Sequence, residues 1–254
     1  MLAGLLLVTG CAAGPAPTVS VALEQSRDNE NRHLLQVAVT NQGGQPVQLV
    51  RLQLRSPRFV PVAPTVREDV LAPGDRLVLP VTYGAADCRG RGPAEVVVGH
   101  RVDGVLREHD VPVPADDPLL PRLHERECRL AELARSASLS FAPGWTRRGD
   151  SAAGTLVLTR LRGSTPMAVT AVDGSVIFTL QPTGPLPAVL DEQVRLPVAA
   201  TPSRCDPHAL AESRRTYDFT LALRFGDGPP LTVAVRPGAA DLPLLEQLVR
   251  DVCR

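Results

Sequence analysis

Two stretches of this chain repeat each other, and the repeat carries cysteines at matched places. LPVTYGAADC ends at Cys88 and LPVAATPSRC ends at Cys205, with Leu79-Pro80-Val81 and Leu196-Pro197-Val198 standing the same distance before each cysteine. Further on, DPLLPRLHERECR and LPLLEQLVRDVCR end at Cys128-Arg129 and Cys253-Arg254. Aligned on cysteine, Pro118, Leu119, Leu120 and Leu123 match Pro243, Leu244, Leu245 and Leu248. Upstream, HLLQVAVTNQGGQPVQLVRLQLRS and GTLVLTRLRGSTPMAVTAVDG share a looser pattern of apolar strand, Gly-containing turn, proline and second apolar strand. Two copies are too few for a stacked solenoid, so the duplication reads as tandem domains, and 254 residues suffice for two separate cores.

Each domain should then close its own bridge. Four cysteines allow three pairings, and the duplication selects Cys88 with Cys128 and Cys205 with Cys253. Loops of 40 and 48 residues would each contribute roughly 4 kcal/mol in the chain-entropy model, before strain. A zinc site is the poorer account, because no CxxC pair is present. Paired cysteines also fit an oxidising, extracytoplasmic compartment.

Aromatic residues are only 3% of the chain, so its cores must be filled mainly by Val, Leu and Ala, a mix that favours strands with aliphatic faces. In the first copy TVSVALEQS, HLLQVAVTN, PVQLVRLQLRS, DRLVLPVTY, AEVVVGHRV and VLREHDVPV read as strands, the last two joined by a tight turn at Asp103-Gly104. YDFTLALRFGDGPPLTVAV is the counterpart hairpin. About seven strands per copy predict an all-β protein of two tandem antiparallel, immunoglobulin-like sandwiches. A short helix should close each, with Asp117 and Asp241 as N-caps ahead of a first-turn proline. The first helix pattern runs on through LHERECRLAELARSA as a connector. Domain limits are expected at 18–135 and 136–254.

The fifth cysteine, Cys11, has no partner under this pairing. It follows a short apolar run, Leu2 to Val8, and the small residues Thr9 and Gly10. Val8-Thr9-Gly10-Cys11 resembles the lipobox of bacterial lipoproteins. The resemblance implies a signal peptide over 1–10, a lipid thioether on Cys11 and a lipid anchor in the cell membrane, with 11–17 as a tether. The lack of a basic residue before Cys11 leads us to expect a translation start upstream of Met1.

Charge is balanced at 27 basic and 27 acidic residues, so no global field favours nucleic acid. Every basic residue is Arg; without Lys, Schiff-base chemistry, a Ser-Lys dyad and a P-loop lysine are excluded. No GxSxG elbow is present, and Asp116-Asp117 is better explained by helix capping than by glycosidase chemistry. His100 and His109 fall on one face of the Asp103-Gly104 hairpin; with nearby acids they are the one setting for a hydrolase or metal-dependent enzyme, against the simpler expectation of a solvated hairpin face. His124, in HERE, lacks the second histidine of a zincin motif and reads as a solvated helix position. Trp145 beside Arg147 and Arg148 has the composition of a binding hot spot, against the simpler expectation that its ring covers the edge of the second core. We therefore expect no catalytic residue, metal or cofactor, and a lipid-anchored binding or scaffolding module for an unidentified envelope partner; a structural spacer is the third option.

Overall fold

The computed structural model describes residues 18–26, 29, 32–102, 104–213 and 215–254. Cys11, its flanking segment, Asp103 and Arg214 lie outside these. The chain divides into two compact units between Cys128 and Arg129. The expected limit at residue 135 is therefore moved, because the connector helix is apportioned between two cores. Its Leu119, Leu120 and Leu123 belong to the core of the first unit, and its Leu133 to that of the second.

Unit 1 is a sandwich of seven strands: β1 (Val19–Glu24), β2 (Leu34–Asn41), β3 (Val47–Arg55), β4 (Thr65–Leu71), β5 (Arg76–Thr82), β6 (Glu95–Val102) and β7 (Val105–Pro112), followed by α1 (Leu119–Ser136). One antiparallel sheet has the order β1-β2-β5, the other β4-β3-β6-β7. Val21 and Leu23, Leu35, Val37 and Val39, and Val96 and Val98 alternate inward along their strands, as a half-buried sheet requires. β4 is the strand the sequence pattern hides. Arg67, Glu68 and Asp69 stand in its middle, and it forms the sheet's edge, where charge discourages pairing with another chain.

Unit 2 contains β8 (Ala137–Phe141), β9 (Thr146–Arg148), β10 (Ser151–Arg160), β11 (Met167–Asp173), β12 (Phe178–Pro182), β13 (Ala188–Leu190), β14 (Gln193–Pro202), α2 (Pro207–Glu212), β15 (Phe219–Phe225), β16 (Leu231–Val235) and α3 (Leu242–Val252). Its sheets run β12-β14-β10-β8, with β9 beside β10, and β13-β11-β15-β16. Removing β9 and β12 leaves β8-β10-β14 facing β13-β11-β15-β16, the same order as unit 1. The two Leu-Pro-Val segments fall in β5 and β14, which are equivalent strands.

The duplication extends to an irregularity. In β3 the register slips between Leu49 and Arg51, and in β11 it slips between Val169 and Ala171. One extra residue in a strand reverses the side-chain alternation beyond it. Hence Leu49 faces the core before the bulge in β3 and Leu52 and Leu54 after it, which gives the phase slip in VQLVRLQL.

Each unit is closed by a disulfide, Cys88 with Cys128 and Cys205 with Cys253. Both join the loop after the Leu-Pro-Val strand to the helix that ends the unit. The helix starts differ. Asp117 Oδ1 accepts from the amide of Leu119 at 2.8 Å, a side-chain cap. Asp241 makes no such bond; its αR backbone turns the carboxylate away from the helix amides. Asp206 caps the short α2 by accepting from Ala209 N at 2.8 Å.

Replacing Cys205 and Cys253 together by Ala should lower the stability of unit 2 by about 2–5 kcal/mol. Urea unfolding followed by the fluorescence of Trp145, the single tryptophan and a unit 2 residue, measures this; an unchanged midpoint would remove the bridge from the stability of the unit.

Candidate functional site

A cleft of about 430 Å³ lies at one end of the unit 1 sandwich. Its outer wall is the β3–β4 connection, SPRFVPVAP, whose prolines cannot donate to a ladder and so leave the sheet. Backbone bonds pin this loop to the segment after β5: Val60 N donates to Ala85 O at 2.8 Å and Asp87 N to Arg58 O at 2.9 Å. The approach is close enough to demand glycine. A Cβ on Gly84 would lie 2.0 Å from the carbonyl oxygen of Val60, and one on Gly90 would lie 1.7 Å from that of Pro57.

Phe59 and Tyr83, both buried with ring centroids 5.0 Å apart, and the exposed Val60 supply apolar lining. Arg55 and Glu95 add one charge of each sign, and the Arg55 guanidinium lies 3.9 Å from Glu95 and 3.3 Å from Asp110. An apolar pocket with few orienting polar groups is suited to a small ligand or an inserted apolar side chain. The sequence reading did not find it. The prolines of SPRFVPVAP mark a loop, but the segment after β5 that it folds against is distant in sequence.

His124 is not solvated. It is 5% exposed, and its Nε2–H donates to the carbonyl of Asp87 at 2.8 Å while lying 3.6 Å from Cys128 Sγ. Its place in the inward stripe of α1, one residue after Leu123 and four after Leu120, accounts for the burial. Aligned on cysteine, Val249 holds this position in the second copy, a signal that was present in the sequence. Thus the ring and the bridge both tie α1 to the loop that braces the cleft.

The Trp145 cluster is also corrected. Trp145 is 4% exposed, stacks on Phe219 at 6.1 Å and meets Phe141 edge-on at 5.2 Å, so its indole is core and not a contact surface. Gly154 makes the room, since a Cβ there would fall 2.4 Å from the indole. Asp241, buried at the start of α3, accepts from Gly144 N and Trp145 N with Oδ1, both at 3.0 Å. The carboxylate expected to cap α3 instead fastens the β8–β9 loop. Arg147 pairs with Asp251 of α3, which holds that carboxyl below its usual range, while Arg148 is exposed. The three residues therefore form no common surface.

His100 and His109 are brought together, and they face inward. His100 stands opposite Arg107, and His109 opposite Val98, which sets the rings on one face at 5.1 Å, edge to face. His100 is 4% exposed, so the expected solvated face is overturned by the parity of β6, on which His100 follows Val96 and Val98 into the core. Asp110 points to the other face of β7 and lies by Arg55. Among the described residues no three His, Cys, Asp or Glu side chains are grouped to hold a metal ion.

No family model and no curated protein matches the sequence. Among solved structures, red sea bream transglutaminase is 11% identical with a TM-score of 0.23, over 88% of this chain and 32% of that one. An exo-chitosanase from Amycolatopsis orientalis is 14% identical with a TM-score of 0.20, over 84% and 26%. The B domain of a biofilm-associated protein is 10% identical with a TM-score of 0.21, over 86% and 85%. The chain thus spans a third or less of the two enzymes, and similarity at this level carries no functional argument.

Replacing Gly154 by Ala should displace the indole and lower unit 2 stability by about 1–3 kcal/mol. A red shift of the tryptophan emission and a reduced thermal midpoint are the expected readings; unchanged values of both would show that the Gly154 approach has no energetic weight.

Proposed function

We propose that the protein is a non-enzymatic, lipid-anchored envelope lipoprotein whose two sandwich units act as a binding or scaffolding module, with the unit 1 cleft as its ligand site. The observation that carries the proposal is the closure of four cysteines in two bridges, which leaves Cys11 of the Val8-Thr9-Gly10-Cys11 motif without a disulfide partner. Two disulfides are compatible with an extracytoplasmic location. Among the described residues no helix is long and apolar enough to cross a membrane, and a thioether-linked lipid would supply attachment without one.

The binding role is supported by the cleft's apolar lining beside Arg55 and Glu95. An enzymatic role for His100 and His109 is disfavoured by burial of the first ring and by the outward direction of Asp110.

Replacing Cys11 by Ser should move the folded, oxidised protein from the membrane fraction to the soluble extracytoplasmic fraction. Retention in the membrane would overturn the anchor. A photoreactive side chain at Val60 should give one defined adduct in intact cells; a diffuse set of envelope neighbours, no different from that obtained at exposed Val189 of unit 2, would favour a spacer instead.

A further inference from the structure

The duplication supplies an internal reference for the histidine pair. Leu49 stands opposite His100 just before the β3 bulge, and Val169 stands opposite Leu223 just before the β11 bulge. Counted from there, Val98 opposite His109 corresponds to Leu221 opposite Val233. The same two places in one fold are thus occupied by two imidazoles in unit 1 and by Leu223 and Val233 in unit 2. The sandwich needs only apolar volume there.

The imidazoles are poorly provided for. His100 Nδ1 and both nitrogens of His109 are buried without a hydrogen-bond partner among the described residues, each a cost that Leu and Val avoid. The surroundings also resist charge. On β7, Arg107 faces His100 and opposes its protonation, while Asp110 favours that of its neighbour His109. β3 offers apolar Leu49, and its Arg51 lies over Gly99 on the outer face, bound to Glu108. β1, which packs against β7, turns Val21 and Leu23 inward and commits Glu24 to Arg76. On β6, Arg101 is held by Glu68.

We propose that His100 and His109 form an acid-sensitive latch: their protonation releases the edge strand β7 from the unit 1 core. β7 is an edge of its sheet and, among the described residues, pairs only with β6, so its release breaks one ladder. Burial lowers the pKa of both rings below the ordinary 6.5; repulsion from His109 and then Arg107 adds to this at His100, where a backbone hydrogen bond to Val98 partly offsets it, and Asp110 partly offsets it at His109. A depressed folded-state value means that the open chain binds more protons. The stability that the neutral pair permits is therefore present above about pH 6.5 and is lost as the pH falls through that value towards the lower, folded-state one.

Hydrogen exchange of the full, oxidised chain tests this. After correction for intrinsic rates, opening of the amides of residues 105–112 should rise about tenfold or more between about pH 7.5 and about pH 5. Residues 231–235 of the second copy should show no such rise. The double variant His100→Leu, His109→Val, which installs the side chains of unit 2, should abolish the dependence and slow opening at neutral pH; His109→Gln, which keeps a polar side chain of similar size, should reduce the dependence. A wild-type hairpin indifferent to pH, or a dependence that survives in the double variant, would overturn the latch. So would stoichiometric protection of residues 105–112 by Zn²⁺ at neutral pH that both variants lose, since the pair would then be a metal site.

Discussion

Closure of each sheet sandwich by a helix tied through a disulfide is the constraint on which the remaining features hang. A sandwich poor in aromatic residues buries mostly Val, Leu and Ala, and its ends are left to loops. In unit 1 the bridge joins α1 to the segment that follows β5, and that same segment receives the β3–β4 loop through the Val60–Ala85 and Asp87–Arg58 backbone bonds. His124 adds a second tie from α1, to the Asp87 carbonyl. Helix, bridge and cleft are consequently one mechanical assembly, although Arg55 in the cleft and Cys128 in the bridge lie far apart in sequence.

Unit 2 reaches closure by other means. Val249 replaces the histidine, and the terminal helix gains two polar ties instead, Asp241 to the β8–β9 loop and Asp251 to Arg147. Trp145, the last residue of that loop, turns its ring into the core. The copies have thus kept strand order, bulge and bridge while diverging in what each sandwich holds: a cleft and a pair of facing imidazoles in one, an aromatic cluster in the other.

What could be read in advance follows from locality. Cysteine pairing, the terminal leucines and six of the seven unit 1 strands were legible because each depends on nearby residues or on the repeat. β4 was not, since Arg67, Glu68 and Asp69 conceal a strand whose edge position makes charge acceptable. Trp145 was expected at a core edge and is buried there, but its binding alternative stayed open because the space for its ring is made by the absence of a side chain at Gly154, on another strand. The cleft depends likewise on Gly84 and Gly90. His100 was put on the right strand and beside the right partner, and only the face was misjudged; counting parity from Val96 and Val98 gives the correct one. His124 needed comparison with Val249, which the alignment already contained.

The bridge of unit 1 has a consequence for the order in which the protein is finished. Cys128 is the last residue of that unit, whereas the cleft loop it secures lies between β3 and β4. A chain emerging from its N-terminus can pair β1 to β7 before Cys128 is available, so pairing of the strands does not require the brace. The bridge can then close on strands already paired, and bracing of the cleft becomes separable from acquisition of the strand order.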